Sequence, residues 1–225
     1  MPTFQRARSE EQRELRRRAI LDTTAAMLDE MPVGEVSLNE LSRRVGLAKS
    51  NVLRYFESRE AILLELLDRA WKQWMDELPE LLATEIDPGA PVEERGDRLA
   101  DVLARSLEGR RVLCDLFSAQ AGVLERNVSA EVAGRWKRTA IGNVGAMAAL
   151  VRRRLPELGD GAVPFCAQLV MMAGTVWTHA RPSAAMLDAY DADPSLAELR
   201  LDFTPALRDV LATLAAGTLA RAAAR

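Results

Sequence analysis

The chain has 225 residues, of which 48% are hydrophobic and 28% are charged, as in an ordinary globular protein of one large domain or two unequal ones. Aromatic residues make up only 5%, and the Leu- and Ala-rich apolar set favours helices over strands. We expect no membrane-spanning segment, on the interpretation that no run of about 18 uncharged apolar residues is present. The N-terminus lacks the apolar core of a signal peptide, so we expect a cytoplasmic protein.

The two cysteines and the single histidine limit the metal and catalytic chemistry that is available. A structural zinc site needs about four Cys or His ligands, and Cys114, Cys166 and His179 are far apart in sequence. Glycine-rich phosphate-binding patterns are absent from the sequence as well. We therefore expect no enzyme, no bound metal and no cofactor, and we expect both cysteines to be buried apolar side chains.

The net charge of −3 conceals an asymmetry along the chain. Residues 1–60 carry 11 Lys and Arg against 10 Asp and Glu, whereas the remainder carries 19 against 23. Residues 42–56 hold four cations and no acid, and six arginines lie in the first eighteen residues: Arg6, Arg8, Arg13, Arg16, Arg17 and Arg18. Local positive charge on an acidic chain suits a phosphate backbone, although a solvated surface shows the same pattern.

The first sixty residues predict three helices. Residues 10–30 carry apolar side chains at helical spacing. Ser37 and Glu40 form a capping box, in which Ser37 accepts from the backbone of Glu40 and Glu40 reaches back to the backbone of Ser37. Gly46 supplies the left-handed residue that ends the second helix, and a short basic helix follows at about 49–55. Two short helices joined by a glycine turn are typical of a helix-turn-helix.

Residues 12–65 resemble the N-terminal domain of the tetracycline-repressor-like (TetR) family of transcriptional regulators. The most specific part of the match is the block VGLAKSNVLRYFESREAIL. Two positions depart from the commoner pattern, because Ala48 replaces a capping Ser or Thr and Leu53 replaces a Tyr. The resemblance implies an all-α fold, with an N-terminal three-helix helix-turn-helix DNA-binding domain at 1–58 and a C-terminal helical ligand-binding and dimerisation domain at 59–225.

The resemblance implies that the third helix enters the major groove of DNA. Arg and Asn side chains read guanine and adenine edges, while Lys, Ser and Tyr more often hold phosphates, and an apolar side chain contacts a thymine methyl group. The first helix of such a pair crosses the DNA backbone, which places Ser37 and Arg44 near phosphates. In the family, the position of Arg59 is commonly a phosphate-contacting Lys. The predicted DNA contacts are Ser37, Arg44, Lys49, Ser50, Asn51, Leu53, Arg54, Tyr55 and Arg59.

The rest of the chain is predicted to be helical, with a long helix from about residue 60 towards Pro79 and further helices at about 93–108, 110–124, 129–155, 164–181 and 205 to the C-terminus. The last helix carries an apolar stripe, and the one before it carries small residues. The resemblance implies that these two helices from each subunit form a four-helix dimer bundle, with burial inside one subunit as the alternative. The predicted interface residues are Ala173, Gly174, Leu207, Val210, Leu211, Leu214 and Thr218.

Aromatic and methionine side chains are concentrated in the middle helices, where the resemblance implies a ligand cavity. A large apolar cavity with few polar groups is a normal small-molecule site, although each of these side chains also fits an ordinary core. The predicted cavity residues are Trp71, Trp74, Phe117, Trp136, Met147, Phe165, Gln168, Met172, Thr175, Trp177 and His179.

Together these features predict a homodimeric transcriptional regulator. We expect a repressor that binds double-stranded, pseudo-palindromic operator DNA and is released by a small, largely apolar effector of unknown identity. Two alternatives remain open, namely a helix-turn-helix DNA-binding dimer without a small-molecule effector, and a helical enzyme or lipid carrier with an incidental helical hairpin. Operator binding that depends on a ligand distinguishes the expected repressor from the first alternative. Salt-dependent binding to its own promoter region distinguishes it from the second.

Overall fold

The computed structural model describes the backbone of residues 2–224 and the side chains of residues 10–224, so the side chains of Arg6 and Arg8 lie outside the described residues. Within residues 2–224 the chain is helical and contains no strand, which confirms the all-α prediction. The α-helices are α1 (Pro2–Glu30), α2 (Leu38–Val45), α3 (Lys49–Val52), α4 (Arg59–Glu85), α5 (Val92–Glu108), α6 (Arg111–Ala119), α7 (Ala130–Arg154), α8 (Ala162–His179), α9 (Ala184–Ala192) and α10 (Phe203–Ala223).

Short non-α segments join several of these helices. Three 3₁₀ segments lie at Val33–Glu35, Pro156–Gly161 and Pro194–Leu199. A π-helical segment at Gln120–Leu124 continues α6, where the sequence predicts uninterrupted α-helix to about residue 124. Such π segments are frequent at functional sites.

The small N-terminal unit consists of α1, α2 and α3, which pack on one another and on the start of α4. Its core is formed by apolar side chains that are almost completely buried: Ile20, Leu28, Leu41, Val52 and Phe56. Burying a side chain of this size stabilises the fold by about 1.5–3 kcal/mol. This core fixes the orientation of α2 relative to α3.

Helix α4 extends beyond the predicted end near Pro79 and reaches Glu85. Pro79 lies on the exposed side of the helix, whereas Leu78 and Leu82 are buried. Proline removes one backbone hydrogen bond from the interior of a helix. Because the residues beyond it continue the buried apolar face, their burial offsets that loss and the helix continues.

Helix α8 lies at the centre of the C-terminal part and contacts α6, α7 and α10. Residues 161–180 contain no charged side chain, and the stretch Pro156–His179 is long and apolar enough to cross a membrane by length and composition. Our expectation that no such run exists was therefore wrong. Half of its apolar window is buried inside the fold, with Phe165 and Leu169 fully enclosed, so the core accounts for its composition.

Four of the predicted dimer-interface residues lie in the core of a single subunit. Ala173 and Gly174 are buried, and a Cβ atom added to Gly174 would lie 2.8 Å from the backbone of Phe117 on α6. Leu207 and Leu211 are fully buried on α10, which packs against α5 and α8. These four assignments are corrected, because one-sided periodicity predicts a buried face without identifying what covers it.

The other three predicted interface residues, Val210, Leu214 and Thr218, are half-buried on α10 and remain accessible.

The close contact at Gly174 generates a stability prediction. Gly174→Ala is expected to lower the free energy of unfolding by about 1–3 kcal/mol, because the methyl group overlaps the α6 backbone. Gly142→Ala on α7 is the matched control, since nothing lies within 4 Å of its added Cβ, and it is expected to raise the stability by up to about 1 kcal/mol. Urea unfolding measures both variants, and equal stabilisation by the two would contradict the close packing.

Candidate nucleic-acid interface and ligand cavity

The turn between α2 and α3 has the geometry of a helix-turn-helix. The Ser37 hydroxyl accepts from the backbone N–H of Glu40 at 3.1 Å and caps α2. Gly46 ends α2 with a φ of 70°, a conformation that favours glycine. The backbone N–H of Leu47 then donates to the carbonyl of Ser42 at 3.0 Å. These contacts set the angle at which α3 leaves α2.

The exposed side of α3 carries five of the predicted DNA contacts: Lys49, Ser50, Asn51, Leu53 and Arg54. Within residues 10–224 none of these side chains has a hydrogen-bond or ion-pair partner. The regular helix ends at Val52 rather than at the predicted residue 55, because the N–H groups of Arg54 and Tyr55 bond three residues back instead of four. Ala48 provides no side-chain cap, as its missing hydroxyl predicts.

Arg17 on α1 holds the end of α3 in place. Its guanidinium donates to the backbone carbonyl of Tyr55 at 2.7 Å, forms an ion pair with Glu65 on α4, and lies 4.4 Å from the ring centroid of Phe56. Arg17 therefore joins α1 to the residues that follow α3 and to α4. The side chain of Tyr55, the sixth predicted contact of this segment, is half-buried beside it.

A charged network occupies the exposed side of α2. The carboxylate of Glu40 accepts from Arg43 and from Arg44, with Nε distances of 2.9 and 2.8 Å, and Arg44 also pairs with Glu30 at 2.7 Å. The hydrogen bonds from Arg43 and Arg44 lower the pKa of Glu40 to about 2. Only the Ser37 half of the predicted capping box forms, because the Glu40 carboxylate binds the two arginines instead of reaching back to Ser37.

Arg59, at the start of α4, is also engaged by its neighbours. Its guanidinium donates to the carbonyl of Val36 at 2.8 Å and pairs with Glu60 at 3.1 Å. Only 20% of the side chain is exposed. These contacts join the start of α4 to the segment that precedes α2, so Arg59 has a positioning role in addition to any phosphate contact.

A basic groove of about 720 Å³ lies between α1 and α3. Arg13 and Arg16, one helical turn apart on α1, line it together with Asn51 and Arg54, and none of its lining residues is acidic. In the sequence these two arginines add positive charge to α1, but neither is among the predicted DNA contacts. The i, i+3 spacing of Arg13 and Arg16 is the signal that identifies one exposed basic face.

An open, mainly apolar groove of about 780 Å³ lies between α4, α6, α7 and α8. Trp71 and Phe117 meet edge to face in its wall, with ring centroids 5.1 Å apart. Ile141 and Met171 line it as exposed side chains, 73% and 59% accessible. The indole N–H of Trp71 is buried and has no hydrogen-bond acceptor among the described residues.

Polar groups converge at one end of this groove, around the π-helical segment. The carboxylate of Glu125 accepts from Gln120 at 2.8 Å, from the indole of Trp136 at 3.1 Å and from Lys137 at 2.7 Å. Burial raises the pKa of Glu125, but the hydrogen bonds from Lys137, Gln120 and Trp136 outweigh it and leave that pKa below its ordinary value. Gln120, Glu125 and Lys137 line the groove, and no sequence motif predicted their convergence.

The structure brings four of the predicted cavity residues to this groove: Trp71, Phe117, Thr175 and His179. The predictions for Trp74 and Trp177 are corrected, because both rings are buried and their indole N–H groups donate to Ser106 and Asp115 at 2.9 and 2.5 Å. These tryptophans are core side chains whose polar atoms are already satisfied.

The remaining predicted cavity residues also lie away from the groove. Met147 and Phe165 are fully buried in the core, and Trp136 lines a different cavity beside the N-terminal unit. Gln168 and Met172 are half-buried on α8 outside the groove lining. For the apolar side chains the reason is the same, since large apolar side chains fill any helical interior and their clustering does not distinguish a cavity from a core.

Both cysteines are buried, as the sequence predicts. Burial raises the pKa of the Cys114 and Cys166 thiols to about 12, so neither is a thiolate nucleophile at neutral pH. Within the part of the chain that the structure describes, no three His, Cys, Asp or Glu side chains are arranged to hold a metal ion.

Two domain families match this chain. Residues 20–66 match the family described as bacterial regulatory proteins, tetR family, and residues 68–222 match the tetracyclin repressor-like C-terminal domain. The HTH-type transcriptional regulator EthR of Mycobacterium tuberculosis is 38% identical over 55 residues, which cover 24% of this chain and 26% of that protein. The match thus spans about a quarter of the length of the curated relatives.

Solved structures resemble the chain over most of its length. A TetR transcriptional regulator from Rhodococcus sp. RHA1 aligns with a TM-score of 0.53 and 13% identity, over 92% of this chain and 96% of that one. The fatty acid degradation regulator FadR from Bacillus halodurans aligns with a TM-score of 0.52 and 14% identity, over 88% and 97%. At these identities the likeness concerns the fold alone.

Proposed function

The chain belongs to the tetracycline repressor-like (TetR) family of transcriptional regulators, and from this premise we propose that it is a repressor that binds pseudo-palindromic operator DNA as a homodimer and is released by a small, largely apolar effector. The proposal of DNA binding rests on a difference between cations that have an acidic partner and cations that have none. Lys49 and Arg54 are exposed and unpaired within residues 10–224, whereas Arg17 and Arg44 are held by acids. Transcriptional regulators of this kind are generally not enzymes.

Direct base contacts are assigned to the exposed side of α3. Arg54 presents two parallel donors that match guanine, and Asn51 presents the donor and acceptor that match adenine. Leu53, which is 40% exposed, offers an apolar surface to a thymine methyl group. Lys49, Ser50 and Tyr55 are assigned to phosphates on either side.

Further phosphate contacts are assigned to the elements around α3. Arg13 and Arg16 extend the basic surface along α1, and the absence of acids from the groove lining supports this. Ser37 and Arg44 on α2 keep their proposed phosphate contacts, although Arg44 would share its guanidinium with Glu30 and Glu40.

Dimerisation is assigned to the outward faces of α8 and α10, within the proposed C-terminal domain of residues 59–225. Val163 and Met171 are exposed apolar side chains on α8, 42% and 59% accessible, and they also line the groove between α4, α6, α7 and α8. Helix α10 contacts α8. Ala216 and Ala220 are exposed on α10, and because their side chains are small, a second helix can approach closely. A two-fold dimer places two α3 helices about 34 Å apart, in successive major grooves.

The effector is assigned to the groove between α4, α6, α7 and α8. Its volume and apolar lining fit a small molecule with a large hydrocarbon part. The free indole N–H of Trp71 offers one hydrogen bond to such a ligand, and Gln120, Lys137 and His179 offer further polar contacts at the groove surface. Ligand binding would favour a conformation in which the two α3 helices no longer match the operator.

Removing Arg54 tests the DNA interface. Arg54→Ala is expected to weaken binding to the DNA upstream of its own gene by about 1–3 kcal/mol. Lys49→Ala is expected to weaken binding to all DNA sequences alike and to reduce the slope of the logarithm of the binding constant against the logarithm of the salt concentration by about one. Fluorescence anisotropy at several salt concentrations measures both effects. Arg98→Ala, on an exposed arginine of α5, is the control. Equal affinity of Arg54→Ala and Arg98→Ala, with both folded, would contradict the assignment.

Introducing charge on α8 tests the dimer. Met171→Glu is expected to give a folded monomer in analytical ultracentrifugation, because an unpaired carboxylate in an apolar interface costs several kcal/mol. Leu15→Glu is the matched control, since Leu15 is 57% exposed on α1, and this variant is expected to remain dimeric. Leu211→Glu is expected to unfold the subunit itself. A dimeric Met171→Glu would place the interface elsewhere.

Filling the groove tests the effector site, with 1-anilinonaphthalene-8-sulfonate, an anionic dye whose rings bind apolar surfaces, as the probe. Val144→Trp is expected to weaken dye binding by about tenfold, because the indole occupies volume that the dye would fill, and to leave DNA affinity unchanged. Val92→Trp fills a separate groove between α5 and α10 and serves as the control. Equal dye binding by the wild type and Val144→Trp would argue for a DNA-binding dimer without this effector site.

A further inference from the structure

Glu57 lies in the turn that connects α3 to α4, one residue after the buried Phe56. Its two carboxylate oxygens accept hydrogen bonds from a single residue of the C-terminal part, the backbone N–H of Ser129 at 2.7 Å and the hydroxyl of Ser129 at 2.8 Å. The Ser129 hydroxyl also accepts from the backbone N–H of Val132 at 3.2 Å and caps α7. We call this contact the Glu57–Ser129 latch.

The latch is the only hydrogen-bonded connection of its kind within residues 10–224. Among the described residues, the other side-chain hydrogen bonds between residues 10–58 and the rest of the chain reach only α4. They are the pairs Arg17–Glu65 and Asp22–Arg69, the cap in which the Ser58 hydroxyl accepts from the backbone N–H of Ala61, and the bond from Arg59 to the backbone carbonyl of Val36. Packing joins the N-terminal unit to α6 as well, through α1 and the Val33–Glu35 segment. Among the described side chains, the latch alone links the end of α3 to α7 by hydrogen bonds.

Close packing does not replace the latch, because a cavity of about 410 Å³ lies beside it. Arg17, Tyr55 and Phe56 line this cavity from the N-terminal unit, and Val132 and Trp136 line it from α7. An exposed hydrogen bond contributes little where packing already determines the geometry. Here the two surfaces are separated by open space, so the latch has a direct effect on the angle between them.

Helix α7 connects the latch to the proposed effector groove. Lys137, Ile141 and Val144 line the groove from the same helix that Ser129 caps, two to four turns further along. Glu125, four residues before Ser129, binds Trp136 and Lys137 and joins the π-helical segment to the first turns of α7. A shift of α7 caused by a molecule in the groove therefore moves the Ser129 backbone.

We propose that the Glu57–Ser129 latch is the positioning contact through which α7 sets the orientation of the DNA-reading helix α3. The inference rests on the proposed function and assigns its regulation to two residues outside both binding surfaces. The backbone N–H and hydroxyl of Ser129 lower the pKa of the Glu57 carboxyl, so the latch is charge-assisted at neutral pH, and the neighbouring Arg135 acts in the same direction. Its position at the α7 N-terminus adds a favourable interaction with the helix dipole.

The first test is amide hydrogen exchange of the free, full-length chain, followed by mass spectrometry. Glu57→Gln removes the charge, and Ser129→Ala removes the hydroxyl. Both variants are expected to exchange about three- to tenfold faster over residues 47–58, with little change over α5 and α10. Ser129→Thr keeps the hydroxyl and is expected to behave like the wild type.

The controls separate the latch from a general loss of capping or charge. Ser183→Ala removes an equivalent cap from α9, and Glu131→Gln removes a carboxylate from the first turn of α7 that is 82% exposed. Neither control is expected to change exchange over residues 47–58. Unchanged exchange in Glu57→Gln, or equal acceleration in Glu131→Gln, would overturn the latch.

The second test is affinity for the DNA upstream of its own gene. Glu57→Gln and Ser129→Ala are each expected to bind about three- to tenfold more weakly, and the double variant is expected to be no weaker than either single one, because both changes remove the same contact. Wild-type affinity in Glu57→Gln, or additive losses in the double variant, would overturn the inference. Failure of the wild type to bind DNA would instead contradict the proposed function, and the exchange comparison would still decide whether the latch positions α3.

Discussion

Burial of one apolar face along the whole of α4 is the interaction that holds the two parts of the chain together. Its buried side chains run from Ile62 to Leu82, and each stabilises the fold by about 1.5–3 kcal/mol. The first residue of α4 is hydrogen-bonded to the segment before α2, and its last, Glu85, pairs with Arg105 on α5. A change of angle between the two parts must therefore tilt α4 or bend the turn at Glu57.

The arginines of the N-terminal unit divide into two groups by their partners. Arg17 and Arg59 donate to backbone carbonyls and pair with acids, which fixes the helices relative to one another. Arg13, Arg16 and Arg54 have no ion-pair partner within residues 10–224 and share one groove. Pairing thus separates cations that build the fold from cations that remain available to phosphates and bases, a distinction that net charge conceals.

Local sequence signals predicted the helix-turn-helix well, because a Ser37 cap, a left-handed Gly46 and an exposed basic segment each act within a few residues. Predictions of which neighbour a side chain contacts were wrong at several positions, because tertiary contacts decide them. The Glu40 carboxylate binds two arginines, Leu211 packs inside its own subunit, and Trp74 finds an acceptor in Ser106. Periodicity and composition predict that such side chains are buried, but only the fold determines which neighbour buries them. The basic groove combines residues of α1 and α3 that only the tertiary fold brings together.

We propose that two copies of this chain read DNA through α3. Selection from a random pool of double-stranded DNA by the full-length protein, followed by sequencing, tests it most directly. The expected result is enrichment of an inverted repeat whose half-site centres lie about one helical turn, roughly 10 base pairs, or a multiple of that spacing apart. Arg54→Ala is also expected to relax the preference at one position in each half-site. Enrichment of no sequence, or of the same repeat with unchanged preference in Arg54→Ala, would contradict the proposal.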